Sequence, residues 1–282
     1  QFSLPTTMEA LRSYPGTSLF VYWFCSIVFM DWVNTFAYER VPEPLPPLPD
    51  LGFDIIPKAT GTFYPADLVT TSVTAVAIVF GLREGLRAHI PNVRLMIMVY
   101  AILLNLRTIT IIVTTLPICY EHGPCREMHL PLQSRIVTAL AYAFALGFGV
   151  PGVVQCGDYI FSGHTTYIWL ITLHFIRVTK VGRLYQTLLY IWACLGSCAI
   201  IAFRRHYTID VVLGIIVTCF VWDAIFARLE LVQLRGPQNL LDHIIAWQAG
   251  IESGMKLVSQ EDEDEVELGV VKNAAMSPRK TT

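Results

Sequence analysis

The chain reads as an all-α, polytopic membrane protein, and three features of its 282 residues predict that class. Hydrophobic residues make up 54% and charged residues 15%, against about 45–50% and roughly 25% in an average soluble domain. The charges are also unevenly placed. Eleven of the 42 Asp, Glu, Lys and Arg residues lie in the last 31 positions, Glu252–Thr282, so the body carries too few to cover a soluble surface. Finally, apolar runs with few charges recur near the length of about 17–25 residues that crosses a hydrocarbon core of about 30 Å. Together these exclude a disordered chain, a nucleic-acid-binding protein and an ordinary cytosolic enzyme.

The spans follow in order. Thr17–Ala37 is the first, with Asp31 near its far end. Arg12 precedes it, but the run is long and lacks a clear cleavage site, so it reads as a span and not a cleavable signal peptide. Leu68–Leu82 is shorter, entered through Asp67 and closed by Arg83. Leu95–Ile118 contains one charge, Arg107. Ser162–Ile176, Thr187–Phe203 and Ile209–Ala227 complete six. A further apolar run, Ile136–Val154, ends in Gly147, Gly149, Pro151 and Gly152, which is poor helix material, and is expected to be re-entrant or interfacial.

Loop charge supports six spans, because Lys and Arg accumulate in short cytosolic loops. With a cytosolic N-terminus, the 83–94 loop (Arg83, Arg87, Arg94) and the 177–186 loop (Arg177, Lys180, Arg183) are cytosolic. Loops 38–67 and 119–161 face the other side and hold only Arg40, Lys58, Arg126 and Arg135. The expected organisation is a cytosolic segment 1–16, a six-span catalytic domain 17–230, and a cytosolic tail 231–282 whose acidic end (Glu261–Glu265) is disordered. The Pro-rich Val41–Asp50 is an extended loop on the non-cytosolic face.

Ionisable groups in or near hydrocarbon are costly and therefore candidates for function. Two segments collect them: Cys156–Thr165, with Asp158, Ser162, Gly163 and His164, and Arg204–Asp210, with Arg204, Arg205, His206, Tyr207 and Asp210. Both fall at the non-cytosolic face. His206 and Asp210 are four residues apart, one helical turn, where a carboxylate can orient an imidazole and stabilise its cation. His164, from another span, can serve as general acid and base. Two histidines and a carboxylate suit transfer of a phosphoryl-type group through a covalent phosphohistidine, with His206 as nucleophile. Ser162, Gly163 and the backbone N–H groups of a helix start can hold phosphate oxygens. A metal site from two His and one Asp is conceivable, but Arg204 and Arg205 favour an anion, and neither a metal nor another cofactor is expected. His174, mid-span and outside any motif, reads as a packing residue.

The motifs C-G-D-x3-S-G-H-T (Cys156–Thr165) and H-Y-T-x-D-V (His206–Val211) resemble the two catalytic motifs of the sphingomyelin synthases, relatives of the lipid phosphate phosphatases with a similar six-span core. Glu39-Arg40-Val41-Pro42 leading to Pro46-Pro47-Leu48-Pro49-Asp50 resembles the loop after their first span. Arg107-x2-Thr110-x3-Thr114-Thr115-Leu116-Pro117 resembles the end of their third. The resemblance implies transfer of phosphocholine from phosphatidylcholine to the primary hydroxyl of ceramide, giving sphingomyelin and diacylglycerol without a metal. It implies His164, His206 and Asp210 as a catalytic triad, with Asp158, Ser162, Gly163, Arg107, Arg204, Arg205 and Tyr207 as substrate-binding candidates. It also implies a Golgi or plasma-membrane enzyme, its site facing the lumen or exterior and both termini cytosolic. Its partners would be lipids and not nucleic acid. Arg107 could instead pair with Asp31, and Asp158 could cap the following helix.

Where the family's second motif continues with a Tyr, Ile215 stands here. The alternatives are the same chemistry with an ethanolamine or inositol headgroup, a lipid phosphate phosphatase, or a non-enzymatic channel or scaffold. The phosphatase lacks support from the upstream Lys and Arg-Pro motif, which is absent. Cys119, Cys125 and Cys156 share a loop where oxidation is permitted, and a Cys125–Cys156 disulfide is one expectation. Cys25, Cys194, Cys198 and Cys219 read as apolar packing residues.

Overall fold

The computed structural model describes residues 15–41, 47–59, 68, 71–72, 74–75, 86–119, 132–144, 157–179 and 182–251. Among them every regular element is helical: α1 (Pro15–Arg40), α2 (Leu51–Ile55), α3 (Leu86–Val113), α4 (Leu132–Phe144), α5 (Gly163–Thr179), α6 (Arg183–Ala202), α7 (Thr208–Arg235) and α8 (Leu240–Ala249). Four of these, α1, α3 (from Ile90), α6 and α7, are long and apolar enough to cross a membrane. They coincide with the first, third, fifth and sixth spans expected from sequence. The fourth expected span forms α5, 17 residues long. Most of the second, Leu68–Leu82, lies outside the described residues, as do Cys125, Cys156 and the acidic end. Within Ile136–Val154, residues up to Phe144 belong to α4, and the glycine-rich end lies outside the described residues.

The helices divide apolar surface between a protein side and an outward side. On α6, Leu184, Leu188, Ile191 and Leu195 are exposed, while Ala193, Ile200 and Ile201 are buried. On α7, Ile209, Ile216 and Phe220 are exposed, whereas Val211 and Trp222 are buried. A soluble protein rarely exposes apolar surface this continuously, and hydrocarbon is the solvent that suits it. These features fit an integral membrane protein.

The chain falls into two compact units, Gln1–Ile225 and Phe226–Thr282. In the first, α1, α3 and α4 pack around Ile27, Met30, Leu104 and Ala143. Polar side chains help to hold this layer: Asn105 Nδ2 donates to Ser26 Oγ at 2.9 Å and Tyr22 Oη at 3.1 Å, the interhelical bonding expected without water. Arg135, at the start of α4, pairs with Glu39, donates to Thr35 O at 2.9 Å, and stacks over Phe36. A second layer packs α5, α6 and α7 around Ile168, Ile171, Ala193, Ile200 and Val211, with Phe53 and Ile56 from the α2 region against it.

The second unit contains the end of α7 and α8. Arg228 grips Asp242 through two nitrogens, at 2.5 and 3.1 Å, and Asp242 also accepts the Gln238 N–H at 2.9 Å. Gly236 (φ 71°) and Gly250 (φ 70°) end the two helices in the left-handed region that glycine tolerates.

Candidate active site

The connection from α6 to α7 delivers one half of the site. Arg205 N–H donates to Ile200 O at 3.0 Å and Arg204 N–H to Ile201 O at 2.9 Å, with Arg204 at φ 54°. This is a Schellman helix end with arginine where glycine is usual. It turns the chain abruptly, so that His206 and Tyr207 enter the protein while Arg205 stays exposed. The next helix then starts at Thr208 and carries Asp210 in its first turn.

That start is capped from a distance. Asp50 Oδ2 accepts the Thr208 N–H at 2.8 Å, and Oδ1 accepts the Thr208 hydroxyl and the Phe53 N–H. One carboxylate thus satisfies donors at the N-termini of both α2 and α7. Gly52 permits the approach: a Cβ there would sit 2.1 Å from Thr208 Oγ1. Arg204 reinforces it, donating to Phe53 O at 2.9 Å and Ile56 O at 3.1 Å, with its guanidinium 4.2 Å from the Phe53 ring centre.

The other half comes from residues 157–164. Arg107, buried on α3, donates to Phe161 O through Nε at 2.7 Å. Its Nη2 donates to Asp158 O at 2.7 Å and forms an ion pair with Asp158 Oδ2 at 2.9 Å. Thr110, one turn on, donates to Ile160 O. Ser162 caps α5, its Oγ accepting the Thr165 N–H at 3.3 Å. Its own N–H donates to Asp210 O at 3.0 Å, which ties the two halves directly. Gly214, one turn after Asp210, permits this contact, since a Cβ there would lie 3.2 Å from Ser162 O.

The result places His206 Nδ1 3.6 Å from Asp210 Oδ2, slightly longer than a hydrogen bond, as catalytic contacts often are before substrate binds. The His164 ring centre is 6.5 Å from that of His206. Asp210 is fully buried, and its Oδ2 also accepts the Tyr207 N–H at 3.0 Å. Burial lowers the His206 pKa from its ordinary value, opposed chiefly by Asp210 and Asp158. His206 therefore favours the neutral imidazole. Nδ1 is the ring nitrogen turned to Asp210, and Nε2 lies on the far side of the ring. At 3% exposure Cys119 is also enclosed; burial raises its thiol pKa to about 12, so it stays protonated.

Several residues named as substrate contacts are engaged with protein. Arg107 pairs with Asp158 and not with Asp31. Tyr207 Oη donates to Pro117 O at 3.1 Å and accepts the Leu48 N–H at 3.2 Å. Arg204 binds backbone carbonyls. Asp50 and Gly52, by contrast, carry positioning roles that no sequence motif marks as such, although Asp-x2-Phe followed by apolar residues is a helix-start pattern. Arg107→Gln is expected to lower unfolding stability in detergent by about 3 kcal/mol, because it strands a carboxylate and two carbonyls; a thermal melt checks this.

The PAP2 superfamily C-terminal family matches residues 155–227, which contain both halves of this geometry. A sphingomyelin synthase-related protein of Caenorhabditis elegans is 30% identical over 198 residues, 68% of this chain and 40% of its own length. Phosphatidylcholine:ceramide cholinephosphotransferase 1 of Gallus gallus is 29% identical over 242 residues, 80% of this chain and 55% of the relative. The human cholinephosphotransferase 2 is 28% identical over 229 residues, 77% and 61%. The chain is similar to the sphingomyelin synthases. The matched stretch spans about half the length of these relatives. The matched relatives thus cover most of this chain, and the superfamily match falls on the part that supplies the two histidines and Asp210.

Proposed function

We propose that the protein transfers phosphocholine from phosphatidylcholine to the primary hydroxyl of ceramide, giving sphingomyelin and diacylglycerol. The observation that carries this is the convergence of His164, His206 and Asp210 from two helix starts tied by the Ser162–Asp210 hydrogen bond. The names of the relatives, ceramide cholinephosphotransferases among them, supply the substrate class.

In the first step His206 Nε2 attacks phosphorus. The bond from phosphorus to the diacylglycerol oxygen breaks, and His164 gives that oxygen its proton. Asp210 holds the imidazole by Nδ1 and stabilises the positive charge that develops. In the second step His164 takes the proton of the ceramide hydroxyl, whose oxygen attacks phosphorus; the phosphorus–nitrogen bond breaks and His206 is restored. One site used twice lets diacylglycerol leave before ceramide is phosphorylated. The site faces the lumen or exterior of the Golgi or plasma membrane, with both termini cytosolic and six spans in all.

Headgroup choice has one specific alternative, since the related proteins of worm and mouse bear names that state no choline. The test is reconstitution with fluorescent ceramide and, separately, phosphatidylcholine, phosphatidylethanolamine and phosphatidylinositol. Sphingomyelin from the choline donor is the expected product. Another ceramide phospholipid would reassign the headgroup, and release of inorganic phosphate from phosphatidic acid, without any ceramide product, would mark a phosphatase.

A further inference from the structure

Two polar side chains of α1 are buried and have no part in the geometry described so far. Asp31 is 2% exposed and Asn34 6%. Asp31 Oδ2 accepts no hydrogen bond among the described residues, and neither Asn34 Oδ1 nor Asn34 Nδ2 has a partner there. Leaving a carboxylate oxygen and a whole carboxamide unpaired in a protein interior is costly, so such groups are rare without a purpose.

Their neighbours on α1 show which side of the helix they occupy. Met30 Sδ accepts from Arg107 Nη1 at 3.3 Å. A Cβ at Gly157 would lie 2.9 Å from Ala37 O. Residues 30, 34 and 37 form one stripe on a helix, so Asn34 lies between a contact with Arg107 and a contact with Gly157. Both belong to the 157–164 connection and the arginine that clamps it. Asp31, three residues before Asn34, is also on that side of the helix. Arg107 in turn lies 3.4 Å from a Cβ built on Gly163, the residue before His164.

The chemistry of the pair selects among lipids. An unpaired carboxamide offers one donor side and one acceptor, the complement of a secondary amide. An unpaired carboxylate oxygen asks for an O–H or N–H donor. A choline headgroup has neither, and the esters of a glycerolipid have no N–H. An N-acylated amino alcohol has both: an amide on the carbon beside the reacting carbinol, and a secondary hydroxyl one carbon further.

We propose that Asn34 and Asp31 recognise the amide and the secondary hydroxyl of the ceramide acceptor, and so set acceptor specificity from the first helix. This rests on the ceramide-transfer reading above. A site built to hydrogen-bond a substrate N–H or O–H discriminates strongly against the analogue without it, because its own polar groups are then left unpaired.

The test compares ceramide, N-methylceramide and 3-deoxyceramide as acceptors, using the full chain in phosphatidylcholine vesicles and kcat/KM as the readout. In the wild-type protein each analogue is expected to fall about tenfold or more below ceramide. In Asn34→Ala the penalty for N-methylation collapses towards one, and in Asp31→Leu the penalty for removing the hydroxyl does the same. Asn34→Asp keeps the volume and the acceptor oxygen, and retains the N-methyl penalty. Each ratio is taken within one protein, so a smaller folded fraction cancels. Absence of discrimination in the wild type, or ratios unchanged in the variants, overturns the proposal and leaves both side chains to packing or ordered water. If no donor yields a ceramide product, the transfer reading itself falls and takes this proposal with it.

Discussion

Asp210→Asn is expected to leave the protein folded and to lower ceramide transfer about 10⁴-fold, the scale found when the carboxylate behind a catalytic imidazole becomes an amide. The carboxamide oxygen can still accept the Tyr207 N–H that Asp210 Oδ2 accepts at 3.0 Å, so the start of α7 keeps its local bond. What disappears is the negative charge 3.6 Å from His206 Nδ1.

The pH profile gives a second, signed readout of the same change. The proposed mechanism requires neutral His206, so activity is expected to fall on the acid side as the imidazole protonates. Burial lowers its pKa from the ordinary 6.5, while Asp210 and Asp158 pull it upwards. The wild-type acid limb therefore lies below pH 6.5, and removing the Asp210 charge moves it lower still. A limb that moves to higher pH in Asp210→Asn would show that His206 is not the group titrating. Trapping with labelled phosphatidylcholine should give an acid-labile phosphoprotein in the wild type and none in His206→Ala.

Gly52→Ala carries the largest expected structural effect of a single methyl group. Its Cβ would overlap Thr208 Oγ1 at 2.1 Å and press on Ile201 at 3.2 Å. Overpacking of this kind costs about 1–3 kcal/mol, and here the displaced atom belongs to the first residue of the helix that carries Asp210. The Asp50 bonds to Thr208 would loosen with it, so lost stability and lost transfer should appear together. Combining the change with Thr208→Ala removes the atom in the way. The double variant should be more stable than the sum of the two single costs, and thermal melts of the four proteins measure that coupling. Strict additivity would mean that the two residues do not touch.

The membrane class, the helix order and the pairing of two polar segments were legible in the sequence because each has a local signature. Apolar length marks α1, α3, α6 and α7, and the i, i+4 spacing of His206 and Asp210 survives any detail of packing. The roles of Arg107, Asp50 and Arg204 were not legible, for a common reason. Each binds backbone carbonyls or amides on a distant segment, and a backbone group has no residue identity to read. The resemblance made Arg107 a substrate-binding candidate, with Asp31 as its alternative partner. Its nitrogens instead meet two carbonyls, a carboxylate and a methionine sulfur. Arg204 sits where a glycine would have announced a helix end. The short α8 was also missed, since the polar Asn239 cap and Gly250 stop flank only ten residues.

The segment from Asp158 to Ser162 has one more consequence. The carbonyls of Asp158 and Phe161 are held by Arg107, that of Ile160 by Thr110, and that of Ser162 by the N–H and hydroxyl of Thr166. On the reading proposed above, these oxygens, already engaged as acceptors inside the protein, offer less repulsion to a phosphodiester approaching His164. A transferring phosphate group gathers negative charge on its own oxygens, so a wall of engaged acceptors complements the donors of the site. On the transfer reading proposed above, Arg107 thus acts on the anion through the carbonyls it holds.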